Sequence, residues 1–453
     1  MGRPGAVRVV KIAIVGGGWS GLAAAVTATR AGHNAIVFEA AHAIGGRARA
    51  VSGMLPDGTL LVLDNGQHIL IGAYTQTLRL MALVGVDPAK SLLRLPLTLQ
   101  FPDGDGLVLP RWPSPLDALG GIWNARGWTW SDKWSLLRSA AGWQVAGFTC
   151  AANVSVADLC RTLTPRVLSS LIDPLCVSAL NTPCDRASGQ VFLRVLRDAL
   201  LGGSGSSNLL LPTVDLSALF PDAAVRWLSN QGAEVRLGQR VNTLERSVAA
   251  NGLAATPAVW RVDGESFDAV VWATSASNAA IALMKQAQTA PYSIAESIRS
   301  WAAIASTLAH EAIATVYTYS PGLRLNQPMV SLRSDSAHPA QFVFDRGQLG
   351  GPPGLLAFVV SASNGDRDAL QHRVLQQAHQ QLVADLKGQT LTPIQTIVEK
   401  RATFSCGPGL ERPPQCITAG LIACGDYVQG PYPATLEGAV RSGVAAVSLL
   451  TRE

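Results

Sequence analysis

The sequence predicts an α/β fold in which a Rossmann-type domain is assembled from discontinuous segments and an α+β domain is inserted between them. A strand pattern at Lys11–Val15 runs into a glycine-rich turn and an Ala-rich helix. A second strand–turn–helix pattern follows Leu421 near the other end of the chain. Between the two the pattern is mostly helical, with strands expected near 269–273 and 354–361. One domain is therefore built from parts that are distant in sequence.

The domain boundaries are expected where the composition changes. A Gly/Ser stretch at 202–207 is typical of a linker or a crossing loop, and a Pro/Gly-rich stretch covers 347–354. The first domain is expected over 1–75, 208–280 and 395–453, and the inserted domain over 76–207 and 281–394. The length of 453 residues fits such a division.

The composition excludes several classes of protein. The net charge is +5 without a dense Lys/Arg block, which argues against nucleic acid as a partner. The cysteines and histidines form no CxxC or HExxH pattern, so neither disulfides nor a metal site is expected. The N-terminus shows no signal-peptide layout, and no apolar stretch is long enough to span a bilayer. We therefore expect a cytoplasmic location.

The N-terminal segment carries a dinucleotide-binding motif. Gly16-Gly17-Gly18-Trp19-Ser20-Gly21 matches G-x-G-x-x-G between a strand and a helix. Gly16 permits the tight turn, Gly18 lets the backbone approach a pyrophosphate at the helix N-terminus, and Gly21 allows the helix to pack on the strand. Glu39 ends the next strand, where its carboxylate can accept hydrogen bonds from ribose hydroxyls. Trp19 and Ser20 complete this predicted cofactor loop.

The residues after the acid distinguish FAD from NAD. Gly45-Gly46-Arg47 resembles the second glycine pair and arginine of the amine oxidase and carotenoid desaturase superfamily. In that superfamily the backbone and the arginine contact the flavin diphosphate, for which a guanidinium is well suited. The resemblance implies an FAD-binding domain joined to a substrate-binding domain. No cysteine or histidine lies in a recognisable linkage motif, so we expect FAD to be held non-covalently.

Three downstream segments resemble further flavin-binding elements of the same superfamily. Gly232–Val241 resembles a strand pair whose final Val241 meets the adenine, and Phe267–Ser275 resembles an apolar strand that ends at Ala273. Leu421–Gly443 resembles the closing flavin motif, in which Gly425 and Asp426 precede a helix that starts near Thr435 and Leu436. Asp426 is expected to bind a ribityl hydroxyl. No second G-x-G-x-x-G appears, so we expect an external electron donor.

A more distinctive segment narrows the resemblance. Asp64–Tyr74, which contains Gly66 and Gln67 as expected flavin contacts, resembles the squalene-associated FAD-dependent desaturases, also called hydroxysqualene dehydroxylases. Asn181-Thr182-Pro183 and Leu210–Leu216 also resemble that family. The resemblance implies reductive dehydroxylation of hydroxysqualene to squalene for hopanoid synthesis. Hydride would come from the reduced flavin N5, and the partner would be a long apolar isoprenoid.

His68 is the predicted catalytic residue, as the acid that protonates the leaving hydroxyl. A histidine can donate a proton near neutral pH, and the superfamily's chain passes the flavin ring at this point. The alternative is a neutral imidazole that is hydrogen-bonded to flavin or backbone. Asp64 and Tyr432 are weaker candidates, since Asp64 could cap a turn and Tyr432 could only pack on the ring.

Tryptophans concentrate in one region of the inserted domain, together with Arg and Lys residues. Six of the eleven tryptophans lie between Trp112 and Trp143. Aromatic residues with basic neighbours suit a membrane interface. We expect peripheral attachment to the inner face of the cytoplasmic membrane. The alternative is an aromatic core of the substrate domain.

Three other functions remain open from the sequence. An oxidative carotenoid desaturase of the phytoene type would share the fold and an apolar tunnel but transfer hydride from substrate to flavin. An amine oxidase would need an aromatic cage beside the flavin. A non-enzymatic isoprenoid-binding carrier would not need the Gly45-Gly46-Arg47 and Gly425-Asp426 elements.

Overall fold

The computed structural model describes residues 9–247 and 259–450. Residues 1–8, where the sequence shows no signal-peptide layout, lie outside the described residues, as do 248–258 and 451–453 of the predicted FAD-binding segments. The strands are β1 Lys11–Val15, β2 Asn34–Phe38, β3 Ala50–Met54, β4 Leu60–Asp64, β5 Leu70–Ile71, β6 Leu92–Leu95, β7 Thr98–Gln100, β8 Gly106–Val108, β9 Leu209–Pro212, β10 Glu234–Arg236, β11 Leu244–Ser247, β12 Val259–Val262, β13 Glu265–Phe267, β14 Ala269–Trp272, β15 His310–Tyr319, β16 Met329–Ser331, β17 Phe342–Asp345, β18 Leu355–Ser363, β19 Thr392–Phe404, β20 Cys416–Thr418 and β21 Leu421–Ala423.

Helices cover much of the remaining chain. The α-helices are α1 Trp19–Arg30, α2 Thr75–Leu83, α3 Pro88–Ser91, α4 Leu116–Asn124, α5 Trp130–Val145, α6 Val156–Leu159, α7 Pro165–Val167, α8 Asp173–Leu180, α9 Gly189–Leu201, α10 Leu216–Leu219, α11 Pro221–Asn230, α12 Ala276–Gln286, α13 Tyr292–Ser306, α14 Arg367–Gln381, α15 Val383–Leu386 and α16 Leu436–Leu450. A π-helical turn at Leu168–Ile172 leads into α8, and a 3₁₀ turn at Arg346–Leu349 follows β17.

The first sheet is the predicted Rossmann-type sheet. Its order is β10-β2-β1-β14-β21-β20, with parallel pairing from β10 to β21 and an antiparallel edge strand β20. Alternate residues of β1 face opposite layers. Ile12 and Ile14 pack with α1 and α16, while Ala13 and Val15 join the core on the other face. The α/β fold with a sheet assembled from distant segments is confirmed.

The predicted strand pair over Gly232–Val241 is wrong. A single short strand, β10, pairs with β2, and the chain after Arg236 is irregular up to β11. A turn at Gly238, with φ of +67°, interrupts the extended conformation because its backbone N–H bonds to the carbonyl of Ala41.

The second sheet has the order β16-β17-β18-β15-β19 and is antiparallel. The strand expected near 354–361 is its β18, whereas β15 and β19 were not expected. The predicted domain boundary at residue 395 falls inside β19, whose pairing with β15 continues to Phe404. The segment that returns to the first sheet therefore begins after Phe404, because the backbone hydrogen bonds of β19 belong to the second sheet.

Candidate active site

A cavity of about 980 Å³ opens where the parallel strands end and continues into the helical part of the inserted domain. The residues that follow β1, β2, β14 and β21 line it, as the carboxyl ends of parallel strands do in open α/β sheets. The predicted cofactor residues that line it are Gly16, Gly18, Trp19, Ser20, Glu39, Gly45, Gly46, Arg47, Gly66, Gln67, Val241, Ala273, Gly425, Asp426, Thr435 and Leu436. Their individual cofactor contacts remain predictions.

Gly21 is the one predicted cofactor residue that does not line the cavity. A Cβ at Gly21 would lie 1.9 Å from the backbone oxygen of Gly16, so only glycine lets α1 pack this close to the turn. Its place matches the packing role that the motif assigns to the third glycine.

Two glycine loops meet at the N-terminus of α1. Gly45 donates its N–H to the carbonyl of Gly17 at 2.9 Å, and Gly18 forms a bridge with Gly45. A Cβ at Gly18 would meet only the Cα of Gly46, at 4.0 Å. The protein therefore leaves open space beside Gly18, where a side chain would occupy the cradle. Glu39 accepts the N–H of Gly17 at 2.7 Å and so fixes the turn.

Arg47 and Asp426 are bound to each other in this structure. The guanidinium Nη2 lies 2.6 Å from Oδ1 of Asp426, and Nη1 donates to the carbonyl of Ala402 at 2.6 Å. The Asp426 carboxylate raises the pKa of Arg47 above its ordinary value, against the effect of burial. The ion pair joins the second glycine loop to the closing motif. The two side chains that are predicted to contact the flavin therefore lie next to each other in the cavity lining.

Among the residues that the structure describes, two buried polar atoms of the cavity lining have no hydrogen-bond partner within the protein. They are Nε2 of Gln67, whose Oε1 accepts from Arg346 at 3.3 Å, and the hydroxyl of Tyr427. A buried polar group without a partner costs free energy, so these positions fit a ligand that presents polar atoms. Together with the open cradle at Gly18, they show that the residues present fit FAD.

His68 lines the cavity. Its Nδ1 lies 2.7 Å from the carbonyl oxygen of Gly66, so the ring donates through Nδ1. Burial lowers the pKa of His68, the Gly66 hydrogen bond opposes this, and the positive charge of Arg47 adds to the lowering. Catalysis by His68 remains a prediction, and these contacts fit the alternative role.

The two weaker acid candidates are held by other contacts. Asp64 is outside the cavity lining, where Oδ1 accepts the N–H of Leu216 at 2.8 Å. Burial raises the pKa of Asp64 to about 6. Tyr432 lines the cavity, but burial and a hydrogen bond to Asp198 raise its pKa to about 12. Asp64 thus caps the turn before α10, as the sequence allowed.

The cavity has an apolar half beyond the glycine loops. Its lining comes from α4, α5, α8, α9, the π-helical turn and one face of the second sheet. The residues are Leu97, Leu107, Leu109, Ile122, Leu136, Leu137, Trp143, Phe148, Leu171, Ile172, Leu175, Phe192, Val195, Leu196, Phe342, Phe344 and Val359. Such a surface fits a long hydrocarbon adjacent to the predicted flavin site.

Several residues that line the cavity were not predicted from the sequence as site residues. They are Asn65, Tyr74, Asn181, Glu399 and Tyr427. Four of them lie within segments that resemble the family: Asn65, Tyr74, Asn181 and Tyr427. Their position in those segments could have identified them as site residues. Glu399 carries no local signal because it lies in a strand whose place depends on distant pairing.

The tryptophan-rich region divides into surface and core. Trp112, Trp123, Trp130 and Trp134 are exposed, whereas Trp128 is 8% exposed and donates to Ser170 at 3.0 Å. Trp143 is half-buried and lines the cavity. Leu116, Leu119 and Trp123 are exposed along one side of α4. Within 9–247 and 259–450, no helix is both long and apolar enough to cross a bilayer.

The chain is similar to proteins that match nearly its whole length. Hydroxysqualene dehydroxylases from Rhodopseudomonas palustris and Sinorhizobium fredii are 28% and 27% identical to it, covering 96% and 97% of this chain and 97% and 98% of their own. Cyclohexylamine oxidase from Brevibacterium oxydans is 15% identical, with a TM-score of 0.66 over 98% of this chain and 99% of its own. An oxidoreductase from Methanosarcina mazei is 16% identical, with a TM-score of 0.65 over 97% of this chain and 100% of its own.

The model of the family described as flavin-containing amine oxidoreductase matches residues 19–451. The match begins inside the first glycine loop, at Trp19, and covers the second glycine loop, the closing motif and the inserted domain. It agrees with the open cradle at Gly18 and the unpartnered polar atoms of the cavity. The chain therefore belongs to the flavin-containing amine oxidoreductase family and is an FAD-dependent oxidoreductase.

Proposed function

We propose that the protein removes the hydroxyl group of hydroxysqualene reductively to give squalene. The observation that carries the proposal is the apolar half of the cavity, which adjoins the predicted flavin-contacting loops. The names of the full-length relatives support the same substrate. When bound and reduced, FAD supplies the hydride.

The chain's own residues contribute binding and exclusion of water. The apolar lining holds the hydrocarbon chain, and burial of that chain displaces water from the reacting carbon. Arg47, Gln67, Asp426 and Tyr427 would hold the cofactor through the polar atoms described above. We further propose that electrons come from an external donor.

The test is to supply the purified, anaerobically reduced protein with hydroxysqualene and to analyse the lipid product. Squalene, formed together with flavin reoxidation, is the expected result. A carotenoid desaturase would instead reduce its oxidised flavin when given a polyene precursor such as phytoene. Flavin reduction by phytoene, without squalene formation from the alcohol, would overturn the proposal.

One pair of cavity tyrosines, Tyr74 and Tyr432, does not form the aromatic cage that an amine oxidase would need. Tyr74 and Tyr432 both line the cavity, but their rings meet edge to face at a centroid distance of 6.0 Å and an angle of 79°. Rings in edge contact leave no gap for an amine between their faces. Arg441 also lies 5.0 Å from the Tyr432 ring, and its positive charge opposes binding of a cation there.

We also propose that the protein attaches peripherally to the inner face of the cytoplasmic membrane through the surface formed by Trp112, Trp123, Trp130 and Trp134. Lys133 supports this surface, since its ammonium contacts the carbonyl of Trp123 at 2.6 Å and the Trp130 ring at 5.5 Å. The other sides of α4 and α5 line the cavity, and Leu119 is both half-exposed and part of the lining. A substrate dissolved in lipid would thus have a short apolar path inward.

A further inference from the structure

The second sheet is irregular at one place beside the cavity. Along β15, the partner of Glu311 is Thr403 and the partner of Ile313 is Glu399, so two extra residues are inserted in β19. On the other side, the partners of Ala312 and Ala314 in β18 are Ser363 and Val360, with one extra residue. Bulges redirect side chains and are common beside active sites.

Asn181 holds both bulges together. Its Oδ1 accepts the N–H of Ala362 at 2.6 Å, and its Nδ2 donates to the hydroxyl of Thr403 at 2.9 Å. Asn181 and Ala362 have φ values of 47° and 46°, a left-handed conformation that is unfavourable for alanine. Strain held by specific hydrogen bonds points to a required local shape at the two bulges. The residue that holds this shape, Asn181, belongs to the Asn181-Thr182-Pro183 segment noted in the sequence.

The double bulge brings a carboxyl group into the cavity. Glu399 lines the cavity with Ala402 and Thr403 from the same bulge and with Ser361 from the other. Its Oε2 accepts from Asn65 Nδ2 at 3.2 Å, and the same Nδ2 donates to the backbone oxygen of Arg47 at 3.0 Å. One amide therefore connects Glu399 to the second glycine loop. Its strand partner Ile313 also lines the cavity.

The other carboxyl groups of the lining are already used. Within the described residues these are Glu39, which accepts the backbone N–H groups of Gly17 and Ala41, and Asp426, which pairs with Arg47. Glu399 has no ion pair within 4 Å in that part of the chain, although its charge interacts with that of Arg47 and raises the pKa of the Arg47 guanidinium. Its Oε1 accepts only a backbone N–H, that of Arg401 at 3.2 Å.

We propose that Glu399 is the catalytic residue that protonates the leaving hydroxyl, in place of His68. The inference rests on the proposed function. The proton moves from the Glu399 carboxyl to the hydroxyl oxygen, the allylic C–O bond breaks, and water leaves with the bonding electrons. Reduced FAD, when bound, would supply the hydride for the new C–H bond and would itself be oxidised. Glu399 regains its proton from solvent.

The test compares two leaving groups in single turnovers of the reduced holoenzyme. Hydroxysqualene needs a proton for its hydroxyl to leave, whereas its acetate ester does not, because acetate is a stable anion. Glu399→Gln keeps the size and an acceptor oxygen but cannot donate a carboxyl proton. Its squalene formation from the alcohol is expected to fall by roughly 10²–10⁴-fold, while the acetate reacts at close to the wild-type rate.

Two further measurements separate catalysis from damage to the site. Binding of the alcohol to the oxidised holoenzyme, followed by tryptophan fluorescence, should be unchanged in Glu399→Gln. Glu311→Gln is the matched control, because Glu311 lies on the neighbouring strand and pairs with Arg186 away from the lining. That variant should react with both substrates as the wild type does.

The outcomes distinguish this assignment from the proposed function. Unchanged turnover of the alcohol by Glu399→Gln, or equal losses with both leaving groups, would overturn the role of Glu399 alone. A wild-type enzyme that forms no squalene from the alcohol would overturn the proposed function, and the assignment with it.

Discussion

Gly18 and Gly21 are three residues apart in one motif, yet different neighbours constrain them. Gly18 has an ordinary φ of −76° and free space beside its Cα, so the fold accepts a side chain there. Gly18→Leu is expected to fold but to lose FAD, because the side chain fills the cradle. Gly21→Leu is expected to misfold, because its Cβ collides with the Gly16 backbone.

The loss of FAD from Gly18→Leu is measured as flavin absorbance per protein after gel filtration. The misfolding of Gly21→Leu is measured from the thermal melting of the apoproteins. Full flavin content in a folded Gly18→Leu variant would contradict the assignment of this loop to the cofactor.

His68 gives a prediction about pH. Its pKa in the folded protein is lowered below the ordinary value of 6.5, mainly by burial. The unfolded chain therefore binds the proton more readily, and the stabilisation present above pH 6.5 is lost as the pH falls toward the folded pKa. His68→Gln removes this contribution. The melting temperature of the apoprotein should therefore change less with pH in the variant than in the wild type. An identical pH dependence of the two melting temperatures would contradict this role of His68.

At the scale of elements, α4 and α5 give a prediction about the membrane surface. The triple variant Trp123→Ser, Trp130→Ser, Trp134→Ser should keep its fold and FAD, because these side chains are exposed. Its co-sedimentation with anionic liposomes should fall. Wild-type binding should weaken with salt, since each basic residue near the surface adds about 1 kcal/mol that ions screen.

Trp128→Ser is the control for the triple variant, because it removes a buried tryptophan from the same region instead of exposed ones. Trp128 is buried and hydrogen-bonded to Ser170, so its removal should cost about 3 kcal/mol or more of folding free energy. A triple variant that is folded, flavin-replete and bound to liposomes like the wild type would exclude this surface as the attachment site.

Helices and strands could be predicted from the sequence where neighbouring residues specify them. The strand, turn and helix at 11–30 follow from a hydrophobic run, a glycine turn and an Ala-rich stretch. The strand β19 does not follow in this way, because its partner β15 lies more than 70 residues away and its bulges depend on contacts of Asn181. For the same reason, Glu399 could not be identified as a cavity residue before the pairing was known.

At the scale of the whole molecule, the cofactor site joins segments from both ends and the middle of the chain. Ligand that binds only the folded state stabilises it by mass action, by about 4 kcal/mol when free FAD is about 1,000 times its Kd. The apoprotein should therefore melt at a lower temperature than the holoprotein, and added FAD should restore the difference. Equal melting temperatures with and without FAD would contradict a site built across these segments.

The assembled first sheet also has a consequence for protein synthesis. A nascent chain that has emerged from the ribosome as far as Phe404 carries both glycine loops, β1, β2 and β14 but lacks β21 and Asp426. Until those residues are translated, β14 has an unpaired edge and Arg47 has no carboxylate partner. The first sheet and the Arg47–Asp426 pair are therefore completed only in the last part of translation, and we expect FAD to be retained only after that point.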